Sequence, residues 1–362
     1  MKKILLVNQG HTDNIGDQLI SEITNRNLSK YFKTEVEKFI PDESEKRIIL
    51  TADSLTTGEN RKNKKKCCQG IKKIIKKNYL ICLEILTLKY YRKIVKSIND
   101  EYDAIFIGGG ELLADYVAFT AALQAWLLYA YKANTKIILY GVSGFVFEKR
   151  KHRALKMLLN NCELICVRDY ETQHHLSRQL NKKIMCAPDI VFLLNNINSA
   201  QIAQKCAKED IFVSIYSSEE LGISERISEY YDGWIRLILD KINLNTEKLL
   251  IGYTTQSDYY AAKEFYSYVS KKTRFKNIEI KLCDYSDWRG YCNVISKCKY
   301  VITGRMHAMI IALQYGCEVI PYLVKKKIEV FNSEYIEKKY DMFSVNEKIL
   351  LSLEEVKNRI DT

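Results

Sequence analysis

Proline is scarce: Pro41, Pro188 and Pro321 are the only three in 362 residues, so no rigid Pro-rich linker marks where one folding unit ends. No Gly-x-Gly-x-x-Gly fingerprint occurs, because Gly108-Gly109-Gly110 runs into Glu111-Leu112-Leu113 without a third spaced glycine; a dinucleotide-binding turn is therefore excluded. No cysteines stand at Cys-x-x-Cys spacing, and the eleven present are an odd number, which leaves a zinc site or a complete disulfide framework without support. Cys162 and Cys166 read as core packing. Met1-Lys2-Lys3 leads straight into a short apolar strand with no signal-peptide pattern, so reduced thiols in the cytoplasm are expected. No apolar run reaches the roughly twenty residues of a membrane-spanning helix.

What the chain has in excess is positive charge, at a net +12, and it is unevenly placed. Residues 61–77 hold nine Lys or Arg and no acidic residue. An amphipathic helical pattern follows, with Tyr79, Leu80, Leu83, Ile85, Leu86 and Leu88 ahead of Tyr91-Arg92-Lys93. Two readings stand for this stretch of about 58–97: a docking element for an anionic membrane surface, or a solvated loop with an ordinary surface helix. Nucleic acid is not an expected partner, since aromatic residues are absent from the run until Tyr79 and no recognised nucleic-acid module surrounds it. The cytoplasm is the expected compartment, with the inner face of the plasma membrane left open by the basic stretch. Nothing in the sequence sets an oligomeric state.

A hydrophobic content of 47% over 362 residues is enough to bury a large core and suits two domains better than one. Buried-strand runs alternate with helical patterns, which predicts parallel α/β sheets. The polar stretch Leu193–Lys208 is the natural boundary, because Ile211–Tyr216 starts a new strand after it. The expected organisation is an α/β domain over 1–192 and a second over 209–345. A terminal helix over 346–362 would pack back onto the first.

The most telling local signal is Thr303-Gly304-Arg305-Met306-His307-Ala308, directly after the strand run Tyr300-Val301-Ile302. It places a guanidinium and an imidazole at the carboxyl end of a strand, where open α/β sheets bind ligands. Arg305 can fork onto a carboxylate or phosphate, and His307 can carry a proton near neutral pH. Other strand ends carry similar chemistry: Ile4–Val7 enters Asn8–Asp17, Ala104–Ile107 enters Gly108-Gly109-Gly110-Glu111, and Leu164–Val167 enters Arg168-Asp169, followed by Ala187-Pro188-Asp189. In order, spacing and context, from about residue 4 to 327, these segments resemble the polysaccharide pyruvyl transferase family.

The resemblance implies two Rossmann-like domains facing a cleft, the architecture called GT-B. It implies transfer of the enolpyruvyl carbons of phosphoenolpyruvate onto two hydroxyls of one sugar, forming a pyruvate ketal with loss of phosphate. The acceptor would be a glycan or a lipid-linked sugar, with no cofactor and no metal. By the same resemblance His307 serves as acid or base, while Arg168, Arg305, Met306 and a lysine near Pro321 bind the donor. The family spacing counted from Gly316 falls on Lys327, with Lys325 and Lys326 adjoining it; the Gly-x-Pro of the family is here Gly316-Cys317-Glu318.

The remaining candidates rest on the residues themselves. Asn14 and Asp17 either cap the following helix or bond a sugar. Gly109 and Gly110 suggest close approach of a ligand or backbone, which makes Glu111 a candidate for acceptor hydroxyls. Gln256 and Asp258 end a strand that would line the cleft. A sugar-nucleotide-dependent glycosyltransferase of the same architecture, or a non-catalytic glycan- or lipid-binding relative, are the competing functions. Pyruvyl transfer leads because both arginines and His307 are present together.

Overall fold

A computed structural model describes residues 1–41, 79–114, 116–144, 153–196, 210–223, 226–243, 246–339 and 341–362. The basic run 61–77 lies outside the described residues, as do positions 197–208 of the expected boundary. Two parallel sheets form the frame. The first has the order β2-β1-β3-β4-β5-β6, built from Lys3–Asn8 (β1), Lys33–Lys38 (β2), Ala104–Gly110 (β3), Lys136–Val142 (β4), Leu164–Val167 (β5) and Met185–Cys186 (β6). The second has the order β11-β10-β7-β8-β9, from Ile211–Ser214 (β7), Lys248–Gly252 (β8), Glu279–Leu282 (β9), Tyr300–Thr303 (β10) and Glu318–Pro321 (β11). The central strands are near-continuous apolar runs because helices cover both faces of a parallel sheet: Ile4 to Val7, Ala104 to Ile107 and Tyr300 to Thr303 are buried throughout.

The helices are α1 (Ile15–Leu28), α2 (Tyr79–Ser97), α3 (Val117–Lys132), α4 (Arg153–Asn160), α5 (Tyr170–Ser177), α6 (Ser218–Leu221), α7 (Ile227–Leu239), α8 (Gln256–Val269), α9 (Trp288–Ile295), α10 (Met306–Gln314), α11 (Lys326–Phe331) and α12 (Met342–Asp361). Their starts follow from local capping chemistry. Asn14 accepts from the Gly16 amide at α1, Thr255 from Asp258 at α8 and Asp341 from Phe343 and Ser344 at α12. Helix α12 begins at Met342, a turn before the sequence boundary at 346, and lies on the first sheet. Its Ser352 hydroxyl meets the Tyr140 hydroxyl at 2.6 Å, and Lys136 Nζ donates to the Arg359 carbonyl at 3.0 Å.

In each sheet the strand order reverses direction at one point, between β1 and β3 in the first and between β7 and β10 in the second. Loops leave such a switch point in opposite directions and open a crevice. The loop after β1 and the glycines of β3 therefore share one crevice wall, while Tyr216 and Gly304-Arg305 share the other. The two walls meet directly: the Ile15 amide donates to the Thr254 carbonyl at 3.0 Å, the Gln256 amide to Asp13 Oδ2 at 2.6 Å and the Trp288 amide to Gln18 Oε1 at 3.2 Å.

Gly109 explains how closely α1 packs on β3. Its φ is +83°, and a Cβ there would sit 2.1 Å from Ile20 Cγ2 of α1. The close neighbour is thus a helix side chain rather than a ligand. Gly109→Ala should destabilise the fold by roughly 2–5 kcal/mol, combining left-handed backbone strain with overpacking. Gly316→Ala is the control, since its φ of +69° carries the strain but its Cβ would meet nothing within 4 Å. A melting comparison in which both variants lose the same stability would show that the Ile20 contact contributes nothing.

Candidate active site between the two sheets

His307 opens α10 one turn from the end of β10, and its imidazole lies against the start of α1. A Cβ on Gly16 would fall 1.9 Å from His307 Nδ1, so only glycine admits the ring at that position. On its other side His307 Nε2 stands 3.5 Å from Asp189 Oδ2 of the first domain, at the outer limit of a hydrogen bond. The same Asp189 oxygen accepts from Arg168 NH1 at 2.8 Å, and Arg168 Nε donates to Ser143 Oγ at 3.0 Å. One buried carboxylate thus ties the arginine at the end of β5 to the histidine at the start of α10. Burial alone would raise the Asp189 pKa, but His307 and Arg168 outweigh it and hold the carboxyl well below its usual range.

Beside this cluster lies a cavity of about 360 Å³ lined from both domains: Glu111, Ser143, Gly144 and Arg168 from the first, Met306, Lys326, Lys327 and Phe331 from the second. Lys327 Nζ bonds Glu111 Oε1 at 2.8 Å and Lys326 Nζ bonds Glu171 Oε1 at 2.7 Å, both across the interdomain gap. Lys326 is 73% exposed, at the rim, against 36% for Lys327. Lys325 turns away, its ammonium 4.9 Å from the Tyr216 ring centre. Of the three adjoining lysines, Lys327 is the one set into the cavity.

Two candidates stand apart from this cavity. Arg305 does not line the cavity with Arg168. Its guanidinium stacks on Tyr216 at 3.6 Å, and NH2 bonds Asp258 Oδ1 at 2.5 Å and Glu220 Oε2 at 3.0 Å, all within the second domain. Asp258 does not line the cleft either. It is wholly buried and accepts from the Ser217 amide and the Thr254 hydroxyl besides Arg305, so its carboxylate organises the loops after β7 and β8.

The other candidates divide by what they touch. Asn14 is the cap of α1, and Gln256 enters the interdomain seam through its backbone amide. Asp17 faces the cluster: its Oδ1 is 3.5 Å from where a Gly110 Cβ would lie, and Gly110 has a φ of +84°. The sequence reading gives Asp189 no task, although it stands in Ala187-Pro188-Asp189; no spacing signal tells that it reaches a histidine 118 positions away (307 − 189 = 118). Tyr216 is missed for the same reason. Among the described residues no group of three or more His, Cys, Asp or Glu is placed to hold a metal ion.

Burial raises the Asp17 pKa from 3.8 to about 6, against the opposing pull of His307 and Arg168. Between those values the folded protein holds a proton that the unfolded chain has released, so stability falls as pH rises through the window and stays reduced above it. Asp17→Asn should therefore raise the melting temperature at pH 7.5, by up to ~3 kcal/mol of stability, and the gain should vanish below about pH 4. A gain that is equal at both pH values would contradict this environment for Asp17.

A model of the polysaccharide pyruvyl transferase family matches residues 14–325 of the chain. No curated protein matches the sequence. Among solved structures, a putative UDP-N-acetylglucosamine 2-epimerase from Listeria monocytogenes is similar at 10% identity and TM-score 0.51, covering 91% of this chain and 82% of its own. The UDP-GlcNAc 2-epimerase of Methanocaldococcus jannaschii is similar at 11% identity and TM-score 0.50, covering 94% of both chains. At these identities the likeness concerns the fold: two Rossmann-like domains about a cleft.

Proposed function

Because this chain belongs to the polysaccharide pyruvyl transferase family, we propose that it moves the enolpyruvyl carbons of phosphoenolpyruvate onto two hydroxyls of one sugar in a glycan or lipid-linked glycan precursor. The observation that carries the reading is the Arg168–Asp189–His307 link beside a cavity that also holds Lys327. A small donor with a carboxylate and a phosphate needs fixed cations, and Arg168 and Lys327 supply them from opposite domains. Met306 forms part of the wall. Arg305 acts one step back, holding the loops from which Met306 and His307 project.

The chemistry takes two protons from the sugar and delivers one to carbon and one to phosphate. The first hydroxyl oxygen forms a bond to C2 of the donor as its proton passes to a neighbouring base, which later returns it to the departing phosphate, and the C2=C3 electron pair takes up a proton at C3 from the histidinium of His307. The second hydroxyl then displaces phosphate at C2, and neutral His307 receives its proton. One sugar proton thus ends in the new methyl group and the other leaves with phosphate. Asp189 faces the ring nitrogen at 3.5 Å through both steps.

We place the reaction on the cytoplasmic face of a membrane. Among the described residues no helix is long and apolar enough to cross one. Helix α2, directly after the basic run, instead turns Ile81, Ile85 and Leu88 outward at 59%, 61% and 53% exposure, with Lys89, Arg92, Lys93 and Lys96 also exposed. Apolar residues flanked by cations suit the interface of an anionic bilayer.

In a folded His307→Ala variant, turnover should fall by roughly 10²–10⁴-fold with donor affinity little changed. Mass spectrometry of an acceptor incubated with phosphoenolpyruvate reads the reaction itself; absence of the pyruvyl increment with the native enzyme across candidate acceptors, alongside activity with a sugar nucleotide, would replace this function with glycosyl transfer. For the membrane, Gln at Lys64, Lys65, Lys66, Lys72 and Lys73 should abolish co-sedimentation with anionic vesicles, and salt should mimic it because attraction is screened over about 8–10 Å. Native protein that never sediments at low salt would remove the membrane from the account.

A further inference from the structure

Each cation lining the cavity, among the described residues, is already held by a carboxylate: Arg168 by Asp189, Lys326 by Glu171 and Lys327 by Glu111. The three pairs differ in how readily they part. Arg168 and Asp189 are enclosed, at 7% and 6% exposure, where separating charges is costly. Lys326 and Glu171 sit at the rim, where a pair contributes little. Lys327 and Glu111, at 36% and 41% exposure, lie between these extremes, bonded at 2.8 Å from opposite domains.

We propose that the incoming donor anion takes Lys327 away from Glu111, and that the released Glu111 carboxylate is the base that accepts the proton of the attacking sugar hydroxyl. The inference rests on the pyruvyl-transfer reading and adds to it a specific base and a condition for its release. A phosphate or carboxylate of the donor can satisfy the ammonium that Glu111 now occupies. Glu111 is then left without its cation and beside a new anion. Both changes raise the proton affinity of a carboxylate, and with it its strength as a base near neutral pH.

The present state of the pair agrees with this mutual dependence. Burial pushes the Glu111 pKa up, and Lys327 together with Arg168 and Lys325 more than offsets it; burial pushes the Lys327 pKa down and Glu111 opposes that only in part. The proton balance closes as well. Glu111 takes the proton of the first hydroxyl while His307 gives one to C3. In the second step His307 recovers a proton from the second hydroxyl, and Glu111 returns its own to the departing phosphate. Both groups end as they began. Because Glu111 is masked until the donor is in place, the acceptor is activated only opposite a bound electrophile.

The test is calorimetric titration of phosphoenolpyruvate into the native enzyme, Glu111→Gln, Lys327→Gln and the double variant, with kcat and melting temperature measured on each. Glu111→Gln should bind the donor about three- to tenfold more tightly, since Lys327 no longer has to be freed, while kcat falls by roughly 10²-fold or more. In the Lys327→Gln background the same substitution should bring no tightening. Equal tightening in both backgrounds would mean that Glu111 acts by plain repulsion and would overturn the displacement. Donor affinity that is unchanged or weaker in a folded Glu111→Gln would overturn it too, as would native turnover. If the native enzyme binds no phosphoenolpyruvate, the pyruvyl-transfer reading falls and this inference with it, an outcome read on the native sample alone.

Discussion

A carboxylate withdrawn from water must be met by a cation, and in this protein Asp189 is met by Arg168 from its own domain and faced by the His307 imidazole from the other. Desolvating a single ion costs several kcal/mol even after relaxation. The Arg168 contact at 2.8 Å is therefore a requirement of burying Asp189 rather than an ornament, and the His307 ring stands 3.5 Å from the same oxygen. Everything the site does depends on that constraint. It sets the depth of Arg168 and brings the His307 ring of the other domain to the same electrostatic centre.

The frame makes such a centre available because both sheets place their switch points toward each other. Gly16 leaves room for the imidazole, Gly109 lets α1 approach β3, and Gly304 lets the backbone pass beneath Val324, whose Cγ2 would lie 2.8 Å from a Cβ there. In each of these three places a side chain is missing where another element must come close. The Arg305–Asp258–Glu220 cluster plays the supporting part, holding the loops after β7, β8 and β10 at a common height.

Much of this was legible in the sequence, for definable reasons. Buried strands of parallel sheets are apolar runs, and a ligand site at their carboxyl ends shows as polar or glycine residues directly after the run, as at Gly108–Glu111 and Gly304–His307. What a one-dimensional pattern does not carry is the partner of each charge. Arg305 reads as free to hold an anion, yet its carboxylates stand 47 and 85 positions away and are brought to it only by folding. Asp189 is invisible as a histidine partner for the same reason, and the triple glycine signals a close approach without saying that Ile20 is what approaches. Asn14 sits where capping and ligand binding demand the same residue type, so only geometry separates them.

The amide of Ile15, the first residue of α1, donates to the Thr254 carbonyl of the other domain. The unsatisfied end of a helix in one domain is thus closed by the backbone of its neighbour. Separating the domains would expose that amide, uncover Gly16 from His307 and strip Asp189 of the imidazole in a single event. Opening of the cleft and fraying of the first turn of α1 are thereby the same local event, so a lesion in the loop after β8 is felt at the start of a helix in the other domain.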